Sequence, residues 1–225
     1  RDTYAPLLLT PLVVPSPDAW NAMPGESSIE VARRAAAELD KTLERHAGEV
    51  CALILEPLVQ CAGGMRMYHP AYLKLLRQAC DEFGVHLIAD EIAVGFGRTG
   101  TMFACEQEGV TPDLLCLGKG LSGGYLPVAA TLATSEIFDA FCGDFAALKT
   151  FFHGHSFGGN PLGAAAALAN LDLFAKEKTL EQLPAKASRI VDGLRLLADH
   201  PHVGDIRQRG MITAVELVRD RTTKT

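Results

Sequence analysis

Residues 88–124 constrain the fold more than any other stretch of this chain. They read I-A-D-E-I-A-V-G-F-G-R-T-G and, after a polar break, continue into D-L-L-C-L-G-K-G-L-S-G-G. Each half is a short apolar run that delivers an ionisable residue and then dissolves into glycines. Residues 85–89 lead to Asp90 and Glu91, and residues 114–117 lead to Lys119. Apolar runs of this length bounded by turn signals predict buried strands. In open α/β sheets, ligands bind beyond the carboxyl ends of parallel strands. Parallel pairing of the two runs would set Asp90 and Lys119 side by side at one rim.

An acid and an amine facing one crevice suggest a chemistry. A lysine held near a buried site can shed its proton and attack a carbonyl, forming a Schiff base. Pyridoxal phosphate needs such an amine, and a carboxylate against its pyridine nitrogen keeps the ring an electron sink. Plainer readings exist for both residues: a lysine after a strand is usually a solvated loop residue, and Asp-Glu often forms a turn or a cap. Gly118-Lys119-Gly120 is not a phosphate-binding P-loop, because Asp113 and Gly120 stand where that motif needs Gly and Ser or Thr. Residues 95–100 do match G-x-G-x-x-G, which makes a nicotinamide-dependent dehydrogenase the rival enzyme class. That fingerprint should leave a strand directly and open a helix. Here Asp90 and Glu91 intervene, and residues 101–109 are too short and mixed for a crossover helix.

The two halves of this stretch resemble the class III (ω-type) pyridoxal phosphate aminotransferases. E-P-L-V-Q-C-A-G-G-M upstream and H-G-H-S-F-G-G-N-P-L downstream belong to the same pattern, in the same order. The resemblance runs from about Tyr4 to Leu217 and implies a fold-type-I large domain: a mostly parallel seven-stranded sheet with helices on both faces. It implies Lys119 as the Schiff-base amine and general base, Asp90 as the partner of the ring nitrogen, and Ile92 against the ring face. Gly154 would lie close to substrate, and His155 with Ser156 would reach the cofactor phosphate of a neighbouring subunit, in a homodimer with a shared active site. Glu56 would lie near the substrate; a strand-end charge facing water is the equal alternative. Most relatives carry Gln at the third position after the ring-nitrogen Asp. Ala93 here resembles the biotin-pathway branch, whose acceptor is 8-amino-7-oxononanoate and whose usual amino donor is S-adenosylmethionine, or lysine in some relatives. An ω-amino acid or diamine aminotransferase is the alternative.

The rest of the chain fits an α/β protein. Prolines at 6, 11, 15, 17 and 24 predict an extended surface segment over residues 1–24. Residues 27–46 read as a helix opened by a Ser27/Glu30 capping box. Residues 50–55 read as a strand ended by Glu56-Pro57. Residues 70–83 read as a helix terminated by Gly84, and residues 126–133 as a strand. A short helix starts at Ser135. Asn160-Pro161 caps a long helix running to His200, with a break at Pro184. Residues 211–218 read as one strand. The large domain would cover residues 1–174; residues 175–225 would form a linking helix and the start of a small domain. The chain reads as an internal fragment of a protein about twice its length, with the Gly-Ser phosphate turn and ring-stacking aromatic upstream and a carboxylate-binding arginine downstream.

Composition narrows the partners. The 225 residues carry a net charge of −6 with 48% hydrophobic and 21% charged residues, which disfavours nucleic acid and anionic membranes. No apolar run approaches the roughly 18 residues of a membrane span. Six cysteines at 51, 61, 80, 105, 116 and 142 lack C-x-x-C spacing, so reduced thiols in a cytoplasm are expected. His153 and His155 have no third ligand, so no metal is expected.

Overall fold

The structure, a computed structural model, describes residues 6–223. The start of the proline-rich segment and the last residues of the polar tail lie outside the described residues. Its centre is a four-stranded sheet in the order β1-β4-β5-β6. Strand β1 (Ala52–Leu55) pairs parallel with β4 (His86–Asp90), which pairs parallel with β5 (Leu114–Leu117). An antiparallel strand, β6 (Ala130–Ala133), closes the other side of β5. Of the seven strands expected, the described residues therefore hold four in this sheet, three of them parallel. A two-stranded ribbon, β2 (Val59–Gln60) with β3 (Arg66–Met67), follows β1.

Two helices cover the parallel strands. Helix α1 (Ser28–Arg45) begins where expected: the Glu30 carboxylate accepts from Ser27 N–H at 2.7 Å and Ser27 Oγ–H at 2.6 Å. Helix α2 (Ala71–Phe83) ends on Gly84 in the left-handed conformation at φ 63°, which costs glycine little. Their apolar stripes (Val31, Ala35, Leu39 and Leu43 from α1; Leu73, Leu76 and Cys80 from α2) are buried, and most join Leu87 of β4 in one cluster. Asp113, just before β5, ties this layer to the sheet. Its Oδ2 accepts from Arg77 at 2.7 Å and from Leu87 N–H at 2.6 Å. Burial alone would raise the Asp113 carboxyl pKa, but those two bonds outweigh it and the net shift is downward.

The second half departs from the expectation in two places. Beyond the short helix α3 (Ser135–Ala140), helix α4 (Pro161–Lys176) is capped by Asn160 Oδ1, which accepts from Leu162 N–H. The helical run then breaks at Lys178, which adopts φ 51°, and not at Pro184. Pro184 sits inside α5 (Thr179–Leu194). Tertiary packing keeps α5 continuous there: Leu183 is buried, and Leu180 and Leu183 press on the backbone at Gly97. The expected single C-terminal strand is half of a hairpin, β7 (Val203–Arg209) with β8 (Ile212–Leu217). Charge concealed β7 in the sequence. The structure pairs those charges: Glu216 meets Arg207 at 2.7 Å and Arg66 of β3 at 3.0 Å.

Candidate active site

Parallel register carries Asp90 and Lys119 to the same rim. Asp90 closes β4 opposite Cys116 of β5, three residues before Lys119. Asp90 Oδ1 accepts from Ile92 N–H at 3.1 Å, and among the described residues its other oxygen makes no hydrogen bond or ion pair. Among the described residues, no ion pair joins Asp90 to Lys119.

The lysine sits on a distorted turn. Gly118 is fully extended, Lys119 takes φ 38°, and Lys119–Ser122 form a single 3₁₀ turn. A left-handed conformation at a non-glycine residue costs roughly 1–2 kcal/mol, so surrounding contacts must hold it. Three do. The Gly120 backbone lies against Phe96, where a Cβ would approach Phe96 Cβ to 2.7 Å. Asn170 of α4 donates its side-chain amide to Gly120 O at 2.8 Å and Leu121 O at 3.1 Å. Buried Ser122 donates to Leu126 O at 2.6 Å. Ile92 packs on the Gly118 backbone, with Cγ2 3.1 Å from where a Cβ would stand. It thus lines the approach to Lys119.

Glu91 has a different task from its neighbour. Its side chain is fully buried, and its carboxylate accepts from Ala104 N–H at 2.7 Å and Cys105 N–H at 2.8 Å. Either N–H left unpaired in this interior would cost about 1–3 kcal/mol. Burial pushes the Glu91 carboxyl up, against the lowering effect of those N–H groups. Residues 92–100 are therefore a turn system folded over Glu91. The helix that a dinucleotide fingerprint requires is missing, and the next regular piece is a 3₁₀ segment at Ala104–Glu108. The dehydrogenase alternative fails on this ground.

Glu56 lies within electrostatic range of both key residues. Burial raises its carboxyl pKa; the Cys61 N–H bond lowers it, nearby Asp90 raises it and Lys119 lowers it. Glu56 is half-buried. Cys61 belongs to this neighbourhood too: burial lifts its thiol, followed by Glu56, while Lys119 and Arg98 pull it down.

Gly154, His155 and Ser156 are placed differently. The whole of 151–160 is exposed, and His155 Nδ1 accepts from Phe157 N–H at 3.1 Å. The hydrogen bonds and ion pairs of the described residues do not connect these three to Asp90 or Lys119. Sequence reasoning missed Glu91's structural task, Phe96 and Asn170. The asparagine carries no local signal inside an alanine-rich helix. All six cysteines are free. Among the described residues, no cluster of His, Cys, Asp and Glu could hold a metal, and no helix is long and apolar enough to cross a membrane.

The mostly parallel sheet is that of the fold-type-I pyridoxal phosphate-dependent transferases, on whose solved members it superposes. The chain belongs to the aminotransferase class-III family, which matches residues 5–225. It is 50% identical over 222 residues to adenosylmethionine-8-amino-7-oxononanoate aminotransferase of Geobacter sulfurreducens, covering 98% of this chain and 49% of that protein. The enzyme of the same name from Nitratidesulfovibrio vulgaris is 51% identical over 223 residues, covering 99% and 41%. Among solved structures, that enzyme from Methanocaldococcus jannaschii superposes with a TM-score of 0.81 at 45% identity, over 84% of this chain and 44% of that one. An ω-transaminase from Pseudomonas jessenii, solved in complex with PMP, gives 0.88 at 37% identity, over 94% and 47%. The chain spans about half the length, or somewhat less, of the relatives it matches.

The residues present fit the family's cofactor. The open oxygen of Asp90 can meet a ring nitrogen, Lys119 offers an amine on the neighbouring strand end, and Ile92 gives an apolar wall.

Proposed function

We propose that the full-length protein transfers an amino group to 8-amino-7-oxononanoate, giving 7,8-diaminononanoate, with S-adenosylmethionine as donor and pyridoxal phosphate as cofactor. The observation that carries this reading is the Asp90–Lys119 pair on adjacent parallel strand ends, in a chain about half identical to relatives of that name. Pyridoxal phosphate, when bound, supplies an aldehyde that accepts the amino group and a ring that draws electrons from the bond being broken. Asp90 holds a proton at the ring nitrogen. Lys119 Nζ would hold the cofactor and, once displaced by the incoming amine, would serve as the general base that takes and returns the proton of the 1,3-shift. Ile92 excludes water from one side, and Glu56 lies near the substrate. Ala93 leaves room and offers no side-chain donor. Residues 1–174 belong to the cofactor-binding domain and residues 175–225 begin the small one, in a cytoplasmic homodimer.

Gly154 lies near substrate, and His155 and Ser156 serve the phosphate site of the other subunit; a hydroxyl suits that role. The exposure of His155 and Ser156 leaves them accessible to another subunit, which supports this assignment. Mixing Lys119→Ala subunits with Ser156→Ala subunits should regain activity over either parent, because each heterodimer composes one intact site. Heterodimers that form without any gain would rule out sharing.

Half-reactions test the substrate. With the cofactor converted to its amine form, 8-amino-7-oxononanoate should restore the aldehyde form's absorbance rapidly, while pyruvate and 2-oxoglutarate should not. The reverse pattern would favour an ω-amino acid or diamine substrate and leave the family membership standing. Omitting S-adenosylmethionine in favour of lysine in the first half-reaction separates the donors.

A further inference from the structure

We propose that Asn170, on helix α4, is a positioning residue that sets the reactivity of Lys119. The inference rests on the reading of Lys119 given above. Lys119 holds a left-handed backbone at φ 38°, a conformation a lysine does not keep unaided. The turn that begins there is gripped from 50 residues away in sequence. The Asn170 side-chain amide donates to two carbonyls, at 2.8 Å to Gly120 O and 3.1 Å to Leu121 O. Those are the two carbonyls directly after the lysine. Its Oδ1 fills the space beside Gly123, where a Cβ would stand 2.9 Å away; Gly123 itself sits at φ 60°.

From the other side the turn is stopped by Phe96, whose Cβ lies 2.7 Å from where a Gly120 Cβ would be. Phe96 belongs to a buried cluster with Leu117, Leu121 and Ala167, the last one turn before Asn170 on α4. The lysine turn is therefore clamped between an aromatic ring system that follows Asp90 and an amide that follows the Asn160-Pro161 cap. The two directed hydrogen bonds hold the 120–121 and 121–122 peptides, the second and third after the lysine. With those peptides pinned, the turn cannot relax toward a commoner conformation at Lys119, and the origin of the lysine side chain is set. Because the reacting amine hangs on a flexible four-carbon stem, the backbone origin and direction decide which part of the rim it reaches.

The test uses the full-length protein with Asn170→Leu, which keeps the volume and removes both donors, and Asn170→Ala, which opens the carbonyls to water. Asn170 should matter for the lysine more than for the fold. The rate of reductive methylation of Lys119 in the cofactor-free protein, followed across pH by peptide mass spectrometry, should change at least threefold in both variants. Turnover should fall about tenfold while KM for both substrates stays within twofold. Asn170→Ser, which keeps one donor, should recover part of the loss.

Lys119 methylation and turnover equal to wild type in the folded variants would overturn the proposal. So would a loss of melting temperature with unchanged turnover per folded molecule, since that is a structural role only. If Asn170→Leu does not fold, Asn170→Ala and Asn170→Ser decide the matter by the same readouts. Should borohydride fix pyridoxal phosphate on another lysine in wild type, the functional reading fails by itself. If Lys119 is labelled there and the Asn170 variants leave it unmoved, only the positioning role is lost.

Discussion

Lys119→Ala is expected to abolish amino transfer in the full-length protein, by many powers of ten, while leaving the fold in place. The exposed side chain packs against nothing that the core depends on. Alanine and lysine bear the same backbone strain at φ 38°, so the melting temperature should stay within a few degrees. Borohydride should no longer fix pyridoxal phosphate to the protein. Persistent labelling at a different lysine, with activity retained, would show that the amine has been misassigned. Lys119→Gly gives an internal control: activity should be lost equally, while relief of the left-handed strain should raise stability by up to about 1 kcal/mol.

Asp90→Asn should slow the chemical step without emptying the site. Asparagine can still accept the Ile92 N–H with its carbonyl oxygen, so the β4 terminus keeps its local bond. It loses the negative charge that holds a proton at the ring nitrogen. Electrostatic contributions of this kind are worth about 3–5 kcal/mol, or roughly 10²- to 10⁴-fold in rate. Single-turnover rates should show the loss directly, with cofactor binding weakened far less. Rates equal to the parent would remove Asp90 from the ring-nitrogen role.

The sequence by itself determined the elements whose signals are local. The run at residues 114–117 is a strand residue for residue, the Ser27/Glu30 box opens α1 and Gly84 ends α2 where read. Because a parallel pair has a fixed direction, naming two successive strands was enough to bring Asp90 and Lys119 to one rim. The glycines at 95–100 mislead when taken as a string, since the spacing says nothing about whether a helix follows. Only the fold shows that they let residues 92–100 coil over the buried Glu91 carboxylate.

Other features needed the tertiary structure because their causes lie far apart in the chain. Strand β7 carries Asp205, Arg207 and Arg209, and it reads as a strand only once Arg207 finds Glu216 across the hairpin. The continuity through Pro184 goes with Leu180 and Leu183 reaching Gly97. Asn170 lies 50 positions from Gly120, inside a helix whose alanines and leucines predict packing and nothing more. Propensity and capping act over about four residues, and they fixed which segments are strands and helices. The conformation of the reactive lysine is a long-range outcome: a strained turn survives only where packing and hydrogen bonds from distant segments converge on it.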